Sequence, residues 1–275
     1  MKKTPIKAGK LLRDEVNRFH TLAWFNSVSH DLKETSPLRL EKELQPWKVK
    51  RNADGKLIGS RAWDRYKVGE RLPQDGYGKD GNPLAVMAAA TRSPKSALLY
   101  RHPLWEAMKS PFMSLDRATE LISKFSPDVA GYYGDLAKVT PINRAEILSE
   151  NISLDIWIDW NDRYAAMDHL AASLMFLKID GLRHLEDRRE KCAENIVKSL
   201  GPLASSHWIG PFHEEMFDWF EKNVWSDLFD KHYPKGNKQA NGWRKTKPKW
   251  LTTMESEMLE NVDFESLDED LRNRR

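Results

Sequence analysis

Cysteine is almost missing from this chain of 275 residues, in which Cys192 is the only one. A single cysteine excludes an intrachain disulfide and is typical of a protein from a reducing compartment. The sequence also lacks a run of the roughly 18–20 apolar residues that a membrane-spanning helix needs. Its basic N-terminus is not followed by the apolar segment of a secretory signal. We therefore expect a cytoplasmic protein with no membrane partner.

Recognisable catalytic motifs are missing as well. The sequence contains no nucleophile elbow, P-loop or kinase motif. The spacing of Gly76, Gly78 and Gly81 matches a dinucleotide-binding fingerprint. However, no apolar strand precedes these glycines, and Asn82-Pro83 follows where a helix should begin, so the segment is interpreted as a surface loop. The sequence favours a binding protein over an enzyme, and a catalytic site assembled from distant residues is the less favoured alternative.

Histidines and acids do not follow a metal-binding spacing. His169 and His184 form one candidate pair, and His207 and His213 beside Glu214-Glu215 form another. Neither pair has the short helical or loop spacing that is usual for protein zinc ligands. We predict no metal site and no cofactor.

Charge is unevenly distributed along the chain, although the net charge is only +3. Residues 1–110 carry 22 Lys+Arg against 12 Asp+Glu, and residues 111–230 carry 12 against 21. Residues 231–250 carry seven cations and no acid. Two basic segments of this kind suggest an anionic partner. The alternative is that basic and acidic parts pair within the fold or within a dimer.

Apolar periodicity predicts a mainly α-helical protein. Residues 1–110 indicate a basic region of short helices separated by prolines, with a small β-hairpin near 47–58. Residues 111–230 indicate a larger, acidic domain of amphipathic helices. A basic linker and an acidic tail follow in residues 231–275. The boundary between the first two regions is placed near 110–114, where proline coincides with the reversal of charge.

The stretch from residue 59 to 73 has the most specific pattern in the chain. Trp63 and Tyr66 are three residues apart and would share one face of a short helix. Gly69 is placed to end that helix, and Pro73 prevents its continuation. These four residues are predicted to be structural anchors. Four cations surround them in the sequence: Arg61, Arg65, Lys67 and Arg71.

Residues 63–73 resemble the end of the third helix and the following turn of Cro/phage-repressor-type helix-turn-helix domains. That family often has an apolar residue, Arg-Tyr or Arg-Trp, Gly, a basic residue and Pro. The matching residues here are Trp63, Arg65-Tyr66, Gly69, Arg71 and Pro73. The resemblance implies a recognition helix and a turn that contacts the DNA backbone. Phosphate contacts are expected from four side chains: Arg61, Arg65, Lys67 and Arg71.

A second candidate lies in the basic segment 231–250, where Trp243 and Trp250 are interleaved with cations. Charge and aromatic stacking together can hold nucleic acid. The cations assigned to this candidate are Arg244, Lys245 and Lys247. The favoured alternative is a flexible connector that folds over the acidic centre of the chain.

The sequence thus predicts a non-enzymatic, DNA-associated regulatory protein that contacts the DNA backbone through the surface around residues 61–71. The alternative is a helical protein–protein adaptor or assembly subunit. Such an adaptor would bind a protein partner, or a second copy of the chain, through its segregated charge and aromatic surfaces.

Overall fold

The computed structural model describes residues 5–127, 129–130, 163–179, 192, 195–196 and 199–225. Within these residues the protein is mainly α-helical and contains one small two-stranded sheet, so the predicted fold class is confirmed. The chain divides into two compact units. The first unit comprises Met1–Lys109 together with His207–Pro211, and the second comprises Ser110–Ser206 together with Phe212–Arg275. None of the described helices has both the length and the apolar character that crossing a bilayer requires.

The first unit is built around a long helix, α1 (Pro5–Leu32). Val16, Phe19 and Ala23 recur at helical spacing and are all buried. These residues are buried because three shorter helices pack against α1, which makes it the central helix of the unit. They are α3 (Ala62–Lys67), α5 (Pro94–Tyr100) and α6 (Leu104–Lys109).

Helix α2 (Pro37–Leu44) follows α1 after a short turn. Pro37 occupies the first helical position, where its fixed φ already suits a helix. The backbone N–H that proline lacks would have no partner within the helix at that position. Leu40 and Leu44 are four residues apart and both buried, so they form the inner face. Helix α2 packs against α3 and against the 3-10 turn Pro46–Lys48.

The predicted hairpin near residues 47–58 is confirmed. Strands β1 (Lys50–Arg51) and β2 (Leu57–Ile58) pair antiparallel, with Lys50 opposite Ile58. The turn between them closes with the Asn52 N–H donating to the Lys56 carbonyl at 2.9 Å. After α3 and a glycine-rich loop, α4 (Ala85–Ala90) packs against α5.

Three α-helices of the second unit are described over their full length: α7 (Leu115–Ile122), α8 (Arg163–Lys178) and α9 (His213–Phe220). The Ser114 hydroxyl caps α7 by accepting from the Arg117 N–H at 3.2 Å. Helix α8 is buried without interruption from Ala166 to Phe176, which marks it as a core helix. Beyond α9, a π-helical turn occupies Glu221–Trp225.

Candidate nucleic-acid interface

Helix α3 is fixed to the first unit by its aromatic side. The Trp63 ring is fully buried and lies 5.4 Å, between centroids, from the ring of Trp24. Its Nε1–H donates to the Gln45 side chain at 3.2 Å, so the polar atom of the indole is also satisfied. Tyr66 is buried edge-on against Trp24, and burial raises the pKa of its phenol. Both residues therefore belong to the core.

The start of α3 is held by a buried carboxylate. Glu41 is almost fully buried on α2 and accepts two hydrogen bonds from Ser60, one from its N–H at 2.9 Å and one from its hydroxyl. A Cβ at Gly59 would clash with the Glu41 carboxylate, which its hydrogen bonds to Ser60 hold in place, so this close approach favours glycine. Arg61 then adopts a left-handed conformation, with φ of +61°. The entry into α3 is consequently fixed at three successive residues.

The end of α3 is a complete Schellman motif. The Gly69 N–H donates to the Tyr66 carbonyl at 3.1 Å, and the Glu70 N–H donates to the Arg65 carbonyl at 2.9 Å. Gly69 has φ of +74°, which glycine adopts without strain. It also packs closely on α1, where an added Cβ would lie 2.6 Å from Cγ of Arg18. Backbone conformation and close packing both require glycine at this position.

The chain stays anchored beyond the helix. Pro73 is buried, and its carbonyl accepts a hydrogen bond from the Tyr100 hydroxyl on α5. The segment between Gly69 and Pro73 is thereby fixed at both ends. The cation at position 71 lies on this anchored segment.

The outer side of this segment carries four exposed cations, which we call the basic surface: Arg61, Arg65, Lys67 and Arg71. The Lys67 ammonium donates to the Thr35 carbonyl at 3.4 Å. The three arginines form no ion pair with any acid in the described part of the chain. Their positive charge is therefore available to a partner.

Other arginines of the first unit are neutralised by nearby acids. Arg92 pairs with Glu43 at 2.8 Å. Arg101 binds Asp75 with two nitrogens, at 2.7 and 3.0 Å, and this contact lowers the pKa of the Asp75 carboxyl. The basic surface differs from these sites because its arginines lack such partners.

Sequence reasoning missed a second group of cations, which precedes α3 in the chain. The hairpin exposes Lys50, Arg51 and Lys56, which we call the basic hairpin. Trp47, 39% exposed, lies in the 3-10 turn just before it. Residues 48–71 contain eight Lys+Arg against three Asp+Glu. That local excess of positive charge is the signal in the sequence, whose pattern otherwise predicts only a small β-hairpin near 47–58.

The other candidate residues from the sequence lie partly outside the described part of the chain. Arg244, Lys245 and Lys247 lie outside the described residues, as does His184. His207 belongs to the first unit and His213 to the second. Burial lowers the pKa of His169 to about 4, which keeps this core histidine neutral.

The spacing of helices around α3 can be compared with that of a helix-turn-helix, whose two helices are joined by a turn of about 3–4 residues. Residues 45–61 separate α2 from α3 and include the hairpin. Residues 91–93 alone separate α4 from α5. The chain therefore reaches α3 through a hairpin, whereas a helix-turn-helix has a short turn at the corresponding place.

Comparison of the chain with family models, curated proteins and solved structures found no match. The resemblance of residues 63–73 to helix-turn-helix domains accordingly stays a prediction. Any assignment of function depends on the arrangement of side chains described above.

Proposed function

We propose that this protein is a DNA-associated regulator that binds the phosphate backbone of duplex DNA through the basic surface. The observation that carries this proposal is the rigid placement of exposed arginines without ion pairs, on a segment whose opposite side is locked into the core. Phosphate contacts of arginine and lysine supply most of the sequence-independent affinity for DNA. Because the segment is already ordered, little backbone freedom would be lost on binding.

The dimensions of α3 favour backbone contact over base reading. Its six residues span only about 9 Å at 1.5 Å per residue. A recognition helix needs several side chains to reach base edges in the major groove. On α3 the residues at 63 and 66 are used by the core, which leaves the cations outside. We therefore expect weak dependence on DNA sequence and strong dependence on salt.

The basic hairpin supports the same function. Its three cations precede α3 in the chain, and α2 packs against both α3 and the 3-10 turn that leads into the hairpin. This arrangement would extend the contact beyond the four residues of the basic surface.

The test is fluorescence anisotropy of the full chain with a labelled duplex at several salt concentrations. We expect the combined variant Arg65→Gln, Lys67→Gln and Arg71→Gln to bind more than about tenfold more weakly. Its slope of log affinity against log salt should be shallower by about 2.7, since each lost phosphate contact removes about 0.9. Circular dichroism should show an unchanged helical fold.

The matched control removes three other exposed lysines of the first unit: Lys42→Gln, Lys79→Gln and Lys95→Gln. It changes the net charge by the same amount, so any general effect of charge appears in both variants. Equal weakening in the two variants would reject the basic surface as the contact. Absence of duplex binding by the unaltered chain at about 50 mM salt would reject the function itself.

A protein–protein adaptor is the second candidate, because the same segment also exposes apolar side chains. Ile58 is 50% exposed and Val68 is 53% exposed, both close in sequence to the cations. An acidic protein surface would complement this mixture of charge and apolar area. Sedimentation at rising protein concentration distinguishes self-assembly from DNA binding. An oligomer that the Val68→Ser variant disperses would support the adaptor.

A further inference from the structure

Three side chains capable of binding a metal meet at the end of α1 in the first unit. His30 and Asp31 belong to the last turn of α1, and His207 belongs to the segment His207–Pro211. The rings of His30 and His207 are stacked, with centroids 3.6 Å apart and planes inclined by 11°. His30 Nδ1 lies 3.6 Å from Asp31 Oδ1. One ligand atom from each residue can be chosen so that all three lie within 4.8 Å of one another.

Neighbouring elements hold this cluster in place. The second carboxylate oxygen of Asp31 accepts a hydrogen bond from the hydroxyl of Ser93, a buried residue immediately before α5. The segment that carries His207 is tied to α1 because the Asn26 side chain donates to the Trp208 carbonyl at 3.4 Å. Trp208 itself is buried. The three candidate ligands are therefore positioned by α1, by the start of α5 and by the 207–211 segment.

We propose that His30, Asp31 and His207 form a binding site for one divalent transition-metal ion, with zinc as the expected ion. Two imidazoles and one carboxylate are a ligand set that zinc accepts, and three protein ligands leave a fourth position for water or another molecule. The Ser93 hydroxyl orients the carboxylate, as hydrogen-bonding neighbours of metal ligands commonly do. This site is separate from the basic surface and does not depend on nucleic-acid binding.

Metal binding requires a local adjustment of the two rings. Zinc–nitrogen bonds of 2.0–2.1 Å in a tetrahedral site place ligand atoms about 3.3 Å apart. Ligand atoms that lie within 4.8 Å of one another must therefore close by up to about 1.5 Å. The rings must also tilt, because the lone pairs of stacked rings run parallel and do not converge. The His30 side chain is 49% exposed, which leaves its ring room to turn.

A bound ion would connect the end of α1 with a segment that is very distant in the sequence. Residues 31 and 207 come together only in the folded chain, so the ion binds the folded state and has no comparable site in the unfolded chain. The expected consequence is a first unit that unfolds at a higher temperature when zinc is present.

The test is calorimetric titration of ZnCl₂ into the full chain after treatment with a chelator. We expect saturation at one ion per chain. His30→Ala and His207→Ala should each weaken binding more than tenfold, and Ser93→Ala should weaken it about tenfold because it only orients a ligand. MgCl₂ should give no comparable binding, since magnesium prefers oxygen ligands.

The matched control is His213→Ala, which removes an exposed histidine from the second unit and should leave zinc binding unchanged. Asp31→Asn keeps the size of the side chain and guards against misfolding. It should abolish the zinc-dependent rise in melting temperature while preserving the helical signal. The site is rejected if the unaltered chain shows no saturable zinc binding. It is equally rejected if zinc binds but the alanine variants of His30 and His207 bind it as the unaltered chain does.

Discussion

The inner and outer sides of residues 59–73 are neighbours in sequence but obey different physical requirements. On the inner side, Trp63 and Tyr66 are buried and Gly69 has no room for a side chain. On the outer side, Arg65 and Arg71 are exposed and form no ion pair in the described part of the chain. Substitutions on the inner side should therefore change folding stability. Those on the outer side should mainly change what the protein binds, with at most a small effect on stability.

The largest expected effect comes from Trp63→Ala on the inner side. Truncating a fully buried tryptophan leaves a cavity and orphans the Gln45 acceptor, so we expect a loss of about 3–5 kcal/mol in the free energy of unfolding. Urea denaturation followed by circular dichroism measures it. Trp47→Ala is the control, because that ring is 39% exposed and its loss should cost less than about 1 kcal/mol. Equal losses would remove the distinction between the two sides.

A pH effect should come from His20, which is buried on α1 among residues of α5 and α6. Its ring stacks on Trp105 and its Nε2–H donates to the Tyr100 carbonyl at 2.6 Å. Burial, assisted by the charge of Lys109, lowers the pKa of His20 to about 3. In the unfolded chain, histidine has a pKa near 6.5. Between about pH 6.5 and pH 3, His20 therefore binds a proton in the unfolded state but stays neutral in the folded state. The contribution of neutral His20 to the free energy of unfolding is therefore complete above about pH 6.5 and is lost as the pH falls towards 3.

The expected loss is about 1.4 kcal/mol per pH unit, or nearly 3 kcal/mol between about pH 6 and pH 4. Unfolding free energies measured across that interval for the unaltered chain and for His20→Phe provide the check. Other titrating groups contribute equally to both proteins, so the difference in slope reports His20. Parallel slopes would mean that His20 is protonated in the folded core.

A smaller loss is expected from Gly69→Ala, at about 2 kcal/mol. An alanine here has two costs. Its backbone must stay in the left-handed region, and its Cβ would lie 2.6 Å from Cγ of Arg18. Gly55→Ala separates the two causes, since Gly55 also has positive φ but no atom within 4 Å of the added carbon. That control should lose only about 1 kcal/mol in the same denaturation experiment. A Gly69 variant no worse than the Gly55 variant would show that crowding against α1 is unimportant.

The smallest expected effect has the opposite sign and belongs to the outer side. Arg61 occupies a left-handed conformation, so Arg61→Gly should stabilise the fold by about 0.5 kcal/mol. The same change should weaken DNA binding, because one phosphate contact is lost. Arg65→Gln is the companion variant, with weaker binding and stability unchanged within about 0.5 kcal/mol. Destabilisation by Arg61→Gly would assign that arginine a structural role.

Local elements of the fold could be predicted because their signals are local. Helix α2 begins at Pro37 and the hairpin turns at Gly55, and both positions carry residues that punctuate structure by their own conformational preferences. The Ser114 cap of α7 is a signal of the same kind. Each of these depends on residues a few positions apart, so a single sequence contains the whole argument.

Features that depend on distant partners could not be predicted. Glu41 sits among charged residues on α2, yet it is buried because Ser60 supplies two hydrogen bonds from another element. His30 and His207 were separate residues with no shared spacing until the fold stacked their rings. Likewise, the cations around residues 61–71 were visible in the sequence, but their lack of ion pairs depends on where the acids of other elements lie.

The inclusion of His207–Pro211 in the first unit has a consequence for synthesis on the ribosome. All other residues of that unit have been made once translation passes Lys109. About 100 further residues must then be added before His207–Pro211 is synthesised, which takes roughly 5–20 s at 5–20 residues per second. During that interval the Asn26 side chain lacks its hydrogen bond to the Trp208 carbonyl, and His30 at the end of α1 lacks the His207 ring. The first unit can therefore complete its packing only after His207–Pro211 has been synthesised.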